Sequence, residues 1–321
     1  MKDSSDFGNK YLRYARILIP RMLREIVFKC THLIKSDKLY LKLVYFLTFG
    51  KWLNLDKPET LKTFNEKIQW LKLHNITPLH TRMVDKYEVR KIIEEKMGTG
   101  YTFPLLGVWD NPEDIDFDAL PEQFVLKATH DSGSIVFCRD KKSFDREAAC
   151  CKLKKAMARN YYWLGREMPY KNVKPRIIAE PLMSDNEAGT DLKDYKLFCF
   201  DGEAKMIQVD YDRFTDHHRN LYTPEWKLID AFILYPNNPS HELQKPAILS
   251  EMLEKASLLS KGFPFVRVDF YVIDNKLYFG EFTFHHGSGL ERIRPHDFNI
   301  KLGSWIKLIT VMSMIILFMP F

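Results

Sequence analysis

The sequence predicts an α+β fold with mostly antiparallel sheets. Alternating β-branched and aromatic runs around short polar turns recur near 123–140, 194–214 and 266–284, and each reads as strand, turn, strand. Between them lie stretches with apolar residues at helical spacing, such as Leu249, Leu253, Ala256 and Leu259. Strands and helices therefore alternate along the chain, and the strands arrive as hairpins, not as crossover units.

The chain has 321 residues, enough for one large domain or two modest ones, and its apolar and charged content is that of a folded globular protein. Its five cysteines are scattered, with no CxxC and no Cys/His ligand spacing. That fits a reducing, cytoplasmic setting and argues against a disulfide framework or a zinc site. Residues 1–50 hold ten Lys/Arg against four Asp/Glu, so they carry the whole net charge of +6. This basic, aromatic arm suits an anionic surface such as lipid headgroups. Equally, it suits a helical arm packed on the body with its basic face in water. Arg residues interrupt its apolar runs and no small-residue cleavage site follows, so it is no signal peptide. Basic residues do not recur around a nucleic-acid reader motif, so no nucleic-acid partner is expected. At the other end, residues 308–321 carry no charge, yet they fall short of the ~20 residues of a spanning helix. They read as a buried helix, an interfacial anchor or a non-native end.

Taken in order, residues 51–74 are an entry loop and a helix, opened by a capping box at Thr63 and Glu66. Residues 81–98 read as one helix ended by Gly98. A turn-rich stretch leads to the strand "FVLKA", the turn "THDSGS" and a second strand. The helix within 143–164 precedes a buried strand, 174–184, and the hairpin turned at Asp201-Gly202. The helix near 249–260 and the last hairpin follow.

That last hairpin, "VRVDFYVIDNKLYFGEFTF", is apolar yet holds Arg267, Asp269, Glu281 and Thr283. A three-residue turn at Asp274–Lys276 would oppose Asp269 to Glu281 and Arg267 to Thr283 on one face. A two-residue turn would put the two acids on opposite faces. In the first register the paired carboxylates suit a hard cation such as Mg²⁺, which takes oxygen ligands and shares them with phosphates. In plain structural terms they are solvated acids on an edge hairpin. Lys127, followed by Ser132 and Gly133 in a turn, suits phosphate, although the spacing is not that of a P-loop. Glu180 ends a strand, where it suits a ribose hydroxyl. Asp194 and Lys196 share a strand face. Their structural alternatives are a surface lysine, a cap and a solvated ladder. "DYD" at 210–212 is a charged turn.

Together, "VDKYEVRKII", "FVLKATHDSGSIVF", "PRIIAEPLM", "DYKLFCFDG" and "VRVDFYVIDNKLYFGEFTFHHGSG" resemble the ATP-grasp superfamily, and closely its TupA-like branch, from about Asp56 to Trp305. That branch is associated with bacterial surface-polysaccharide and teichuronopeptide biosynthesis. The resemblance implies two α+β lobes around a nucleotide cleft: an N-terminal region and first lobe over 56–180, and a second lobe over 181–305. A basic helical arm, 1–55, and the apolar tail, 306–321, flank them. It implies that ATP meets Lys86, Lys127, Ser132, Gly133, Glu180 and Lys196. It implies that Mg²⁺ meets Asp269, Glu281 and Thr283, and that Arg267 stabilises the transferring phosphate. Thr283 departs from the Asn frequent at that position, which puts a second metal ion in doubt. The implied reaction is ATP-dependent ligation of a carboxylate to an amine, through an acyl phosphate. The implied partners are a carboxylate-bearing glycan or nucleotide-sugar, such as one carrying a uronic acid, and an amino acid. Two alternatives stand beside it. One is a glycan phosphotransferase using His285 or His286 as base, and the other is a glycosyltransferase or non-catalytic assembly protein.

Overall fold

The computed structural model describes residues 31–183, 193–211, 218–241 and 243–308. The basic stretch around Pro20 and the uncharged tail from 309 onward lie outside the described residues. In chain order the helices are α1 (Asp37–Phe49), α2 (Phe64–His74), α3 (Pro78–Val84), α4 (Val89–Met97), α5 (Arg146–Met157), α6 (Tyr162–Gly165), α7 (Leu249–Ser260) and α8 (His296–Trp305). The strands run from β1 (Gly107–Trp109), β2 (Phe124–Ala128), β3 (Ile135–Cys138) and β4 (Ile177–Pro181) to β5 (Asp194–Phe200), β6 (Glu203–Tyr211) and β7 (His218–Tyr222). β8 (Phe232–Ile233), β9 (Val266–Ile273), β10 (Lys276–Thr283) and β11 (Ile293–Arg294) complete them.

Two main sheets result, ordered β1-β4-β2-β3 and β10-β9-β5-β6-β7, with a short β11-β8 pair. Every described strand pair is antiparallel. This is the expected α+β architecture. Alternation decides which faces are buried. In the small sheet, Phe124, Leu126, Ile177 and Ala179 pack with Leu153 of α5, which leaves Lys127 and Glu180 on the other face. In the large sheet, Leu197, Val209, Val268 and Phe270 pack with Met252, Ala256 and Leu259 of α7. Its other face puts Phe198, Phe200, Met206 and Leu221 against residues of α1, α2 and α8.

The capping box is present: Thr63 N donates to Glu66 Oε2 (3.0 Å) and Glu66 N to Thr63 Oγ1 (3.3 Å). The single helix expected over 81–98 is instead two. Asp85 ends α3 because its carboxylate accepts from the backbone N–H of Tyr87 (2.8 Å) and of Glu88 (3.4 Å). Such local bonds compete with helix continuation. Arg176 then ties the other Asp85 oxygen at 2.9 Å. Lys86 therefore sits in a turn, not on a helix.

The last hairpin also differs from expectation. Its turn has two residues, Asp274 and Asn275, both at positive φ (51° and 56°), between the paired Ile273 and Lys276. Asp and Asn tolerate that region and suit such turns. By itself this turn would separate the acids. A bulge reverses the effect: Phe279 faces Phe270, but Phe282 faces Val268 and Thr283 faces Arg267. The extra residue returns Glu281 to the face of Arg267 and Asp269. Gly280 permits it, since a Cβ there would stand 3.1 Å from the Asp269 carbonyl oxygen and from the Tyr271 ring.

Candidate functional site

The open face of the small sheet and the uncovered end of the large sheet enclose a cavity of about 310 Å³. Lys86, Lys127, Ser132, Gly133 and Glu180 line one side. Lys196, Asp269 and Glu281 line the other. Eight residues singled out in the sequence, from segments far apart in the chain, thus meet at one cleft.

On the small-sheet side, the turn 129–134 is closed by Ala128 N donating to Ser134 O at 3.1 Å. The Ser134 hydroxyl donates to the Asp131 carboxylate. Gly133 sits at φ 97°, a conformation strained for any other residue. Lys86 N donates to Thr129 O (3.2 Å), and its ammonium donates to the Asp131 carbonyl. Burial lowers the Lys86 pKa, while the Glu281 and Asp131 charges oppose the shift. Glu180 is 6% exposed and fully engaged, with Lys127 Nζ at 2.6 Å on Oε2 and Arg90 Nη1 at 3.0 Å on Oε1. Arg90 escaped the sequence reading. The available signal was its place four residues after Lys86, near enough to reach the same cleft.

Across the cleft, Arg267 is buried behind the acids and does not itself line the cavity. Its Nε and Nη2 donate to the two oxygens of Asp269 (2.7 and 2.6 Å), and Nη2 also donates to Glu281 Oε1 (3.0 Å). Asp269 and Glu281 therefore share one face. Burial raises the Asp269 carboxyl to about 7 against the pull of Arg267, and the Glu281 charge adds to the rise. Two crowded carboxylates with hard oxygens fit a divalent cation. Thr283 Oγ1 lies 3.5 Å from Glu281 Oε1, at the margin of this set. No group of three or more His, Cys, Asp or Glu arranged for a metal occurs among the described residues. An ion here would complete its shell with phosphate and water oxygens.

Lys196 stands opposite Asp269 in the β5–β9 register. Its ammonium reaches Asp194 Oδ2 (2.8 Å) and Asp210 Oδ2 (2.6 Å). Burial would lower its pKa, but those two charges raise it. The Asp194–Lys196 pair is thus buried, not a solvated ladder. Asp210 is likewise no charged turn: it is 2% exposed and also bonds Arg219 at 2.7 Å. Burial opposes its ionisation, yet Lys196 and Arg219 hold it far below the usual carboxylate range. Both His285 and His286 are buried at 3% exposure. His286 Nδ1 meets Arg267 Nη1 at 2.8 Å, and His285 Nδ1 lies 3.5 Å from Glu167 Oε2.

A family model described as TupA-like ATPgrasp matches residues 66–307. Among curated proteins no relative matches the sequence. Solved structures with detectable likeness include D-alanine–D-alanine ligase from Helicobacter pylori, at 15% identity over 76% of this chain and 69% of that one, TM-score 0.39. D-alanine–D-alanine ligase from Bacillus anthracis complexed with ATP is 16% identical over 69% and 65%, TM-score 0.37. A RimK domain ATP-grasp protein from Sphaerobacter thermophilus is 11% identical over 71% and 69%, TM-score 0.39. The chain spans about two thirds of the length of each. With the family model covering most of its length, the chain belongs to the TupA-like ATP-grasp family and is an ATP-grasp enzyme.

Proposed function

We propose that this enzyme joins a carboxylate, borne by a uronic acid of a surface glycan or nucleotide-sugar, to the amine of an amino acid at the expense of ATP. The observation that carries the reading is the opposition of Lys86, Lys127 and the Gly133 turn on one wall to Asp269 and Glu281, backed by Arg267, on the other. The lysines and turn N–H groups suit the phosphate chain. Glu180, fixed by Arg90 and Lys127, suits the ribose hydroxyls. Asp269 and Glu281 would hold Mg²⁺, which would supply positive charge to offset that of the phosphates.

In this reading a substrate carboxylate oxygen attacks the γ-phosphorus and ADP departs. The amine then attacks the acyl carbon, phosphate leaves, and the amine gives up a proton as the amide forms. The chain's own work is positioning and charge neutralisation. Arg267, seated behind Asp269 and Glu281, holds both acids in place and balances their charge beside the transferring phosphate, and the lysines hold ATP in line. A phosphotransferase would need a base at the acceptor. Its two candidates, His285 and His286, are buried, and the Nδ1 of His286 already accepts from Arg267. That favours the ligase.

The basic first 50 residues support a place at the cytoplasmic face of an anionic membrane. No helix of the described residues is long and apolar enough to cross one. Product analysis tests the reaction. ATP turnover should require a uronic acid and an amino acid together, with ADP, free phosphate and an amide as products. Phosphate retained on the sugar would overturn the ligase and leave the ATP site standing.

A further inference from the structure

Arg267 spends its donors in four directions. Three go to Asp269 and Glu281, as described. The fourth, Nη1, points at His286 Nδ1, 2.8 Å away. A guanidinium can only donate, so Nδ1 must be the accepting nitrogen. The imidazole is then neutral and carries its proton on Nε2, the other side of the ring. There Glu291 Oε2 stands at 3.0 Å, though off-line for a full hydrogen bond. Arg219 fixes Glu291 in turn, with Nη1 2.9 Å from the same Oε2. Arg219 is itself anchored by Asp210 (2.7 Å) and by the Ile233 carbonyl (3.0 Å).

The backbone around His286 is clamped from a different element. Asn65, Gln69 and Lys72 fall on one face of α2 and are buried to 0–1% exposure, where an apolar stripe would be ordinary. Asn65 Nδ2 donates to the carbonyls of Gly289 (3.1 Å) and Glu291 (2.9 Å). Gln69 Nε2 donates to Ser288 O (2.9 Å) and Gly289 O (3.1 Å). Lys72 Nζ donates to Ser288 O (2.8 Å), Ser288 Oγ (2.7 Å) and Gly165 O (2.8 Å). Six of these bonds go to residues 288–291 alone, more than a surface connection needs. They fix where the ring of His286 stands.

We propose that His286 is a positioning residue for the reaction. Its Nδ1, kept as an acceptor by Glu291 and Arg219 on the opposite edge of the ring, holds the Arg267 guanidinium in the plane of Asp269 and Glu281. Without that fourth contact, Nη1 is a buried donor lacking its partner, and the guanidinium can rotate off the two acids to find one. Asp269 and Glu281 would then lose the contacts that set their orientation in the cleft, although ATP still binds through Lys86, Lys127 and Glu180. This rests on the ligase reading for the role of Arg267, but the tautomer does not.

The test compares three variants with the parent protein. Asparagine places an acceptor oxygen near the position of Nδ1, glutamine places its amide nearer Nε2, and leucine supplies neither. His286→Leu and His286→Gln should lower kcat about 10- to 100-fold, as losing a group that orients a reacting residue typically does. KM for ATP should change less than about twofold, since it reports uniform binding. His286→Asn should recover most of kcat. A merely structural histidine predicts loss ordered by stability and no selective rescue by asparagine. Equal kcat in the leucine variant, or equal impairment of the asparagine and leucine variants, would overturn the proposal. Imidazole ¹⁵N correlation spectra of the parent at pH 7 add a readout free of turnover. They should show the neutral Nε2–H form of His286, and an Nδ1–H or imidazolium signal would refute it even if no variant folds. Failure of ADP release with carboxylate and amine would instead count against the ligase reading and leave the tautomer result intact.

Discussion

Replacing Lys127 by alanine separates phosphate recognition from folding. In the free enzyme the Lys127 ammonium lies 2.6 Å from Glu180 Oε2, with side chains 24% and 8% exposed. A charge-assisted bond to phosphate contributes about 1.5–3 kcal/mol, or roughly 10- to 150-fold in affinity. ATP must first draw Lys127 away from Glu180, so the lower part of that range, about 10- to 30-fold, is expected. Folding should lose only about 1–2 kcal/mol, because Glu180 keeps Arg90 at 3.0 Å and is not left bare. That corresponds to a drop in Tm of several degrees at most. Calorimetric titration with Mg-ATP and, separately, with adenosine reads the effect. ATP should weaken and adenosine should not. An ATP Kd within about twofold of the parent's would refute the assignment of Lys127 to phosphate.

Other outcomes follow from the same geometry. Glu281→Gln keeps an acceptor for Arg267 and should preserve Tm, while Mg²⁺ affinity and turnover fall together by about tenfold or more; unchanged metal affinity would remove Glu281 from the site. Burial lowers the Lys72 ammonium to about 8 against the Glu167 charge, so the unfolded chain binds more protons between about 8 and its ordinary 10.5. Stability from this group therefore rises with pH across that window, by about 3 kcal/mol, and urea unfolding of Lys72→Met should lack that increment. An identical pH dependence in the two proteins would contradict it. Anionic vesicles should bind the chain in a salt-sensitive manner, and less once residues 1–30 are removed, because screening confines such attraction to about 8 Å at physiological salt. Equal binding by the shortened chain would end that idea.

What could be read from the sequence was local. The capping box at Thr63 and Glu66, the apolar spacing of α7 and the hairpins all depend on neighbours within a few residues, and they stand as read. The acids of the last hairpin share a face as expected, but by another route. A two-residue turn and a bulge at Gly280 together restore the parity that a three-residue turn would have given. Residue types alone do not separate these routes, since Asp274 and Asn275 suit either turn. The break at Asp85 is not legible from helical spacing, because an Asp can either continue a helix or turn its carboxylate onto the next N–H groups, and the Arg176 that engages its other oxygen lies 91 residues away. The belt from His286 through Glu291 and Arg219 to Asp210 joins two strands, β6 and β7, to the connection after β10, and no spacing announces it. One trace was present: Asn65, Gln69 and Lys72 lie at helical spacing among apolar residues, which marks a buried face with polar work to do.

The central claim is that a substrate carboxylate, not a hydroxyl, attacks the γ-phosphate in this cleft. The most direct measurement uses a uronic acid labelled with ¹⁸O in its carboxylate, together with ATP and an amino acid. Attack by the carboxylate leaves one labelled oxygen bridging carbon and phosphorus in the acyl phosphate. Displacement by the amine breaks the carbon–oxygen bond, so mass spectrometry should find one ¹⁸O in the released inorganic phosphate and none in ADP. Turnover that yields unlabelled phosphate, or phosphate still attached to the sugar, would contradict the account.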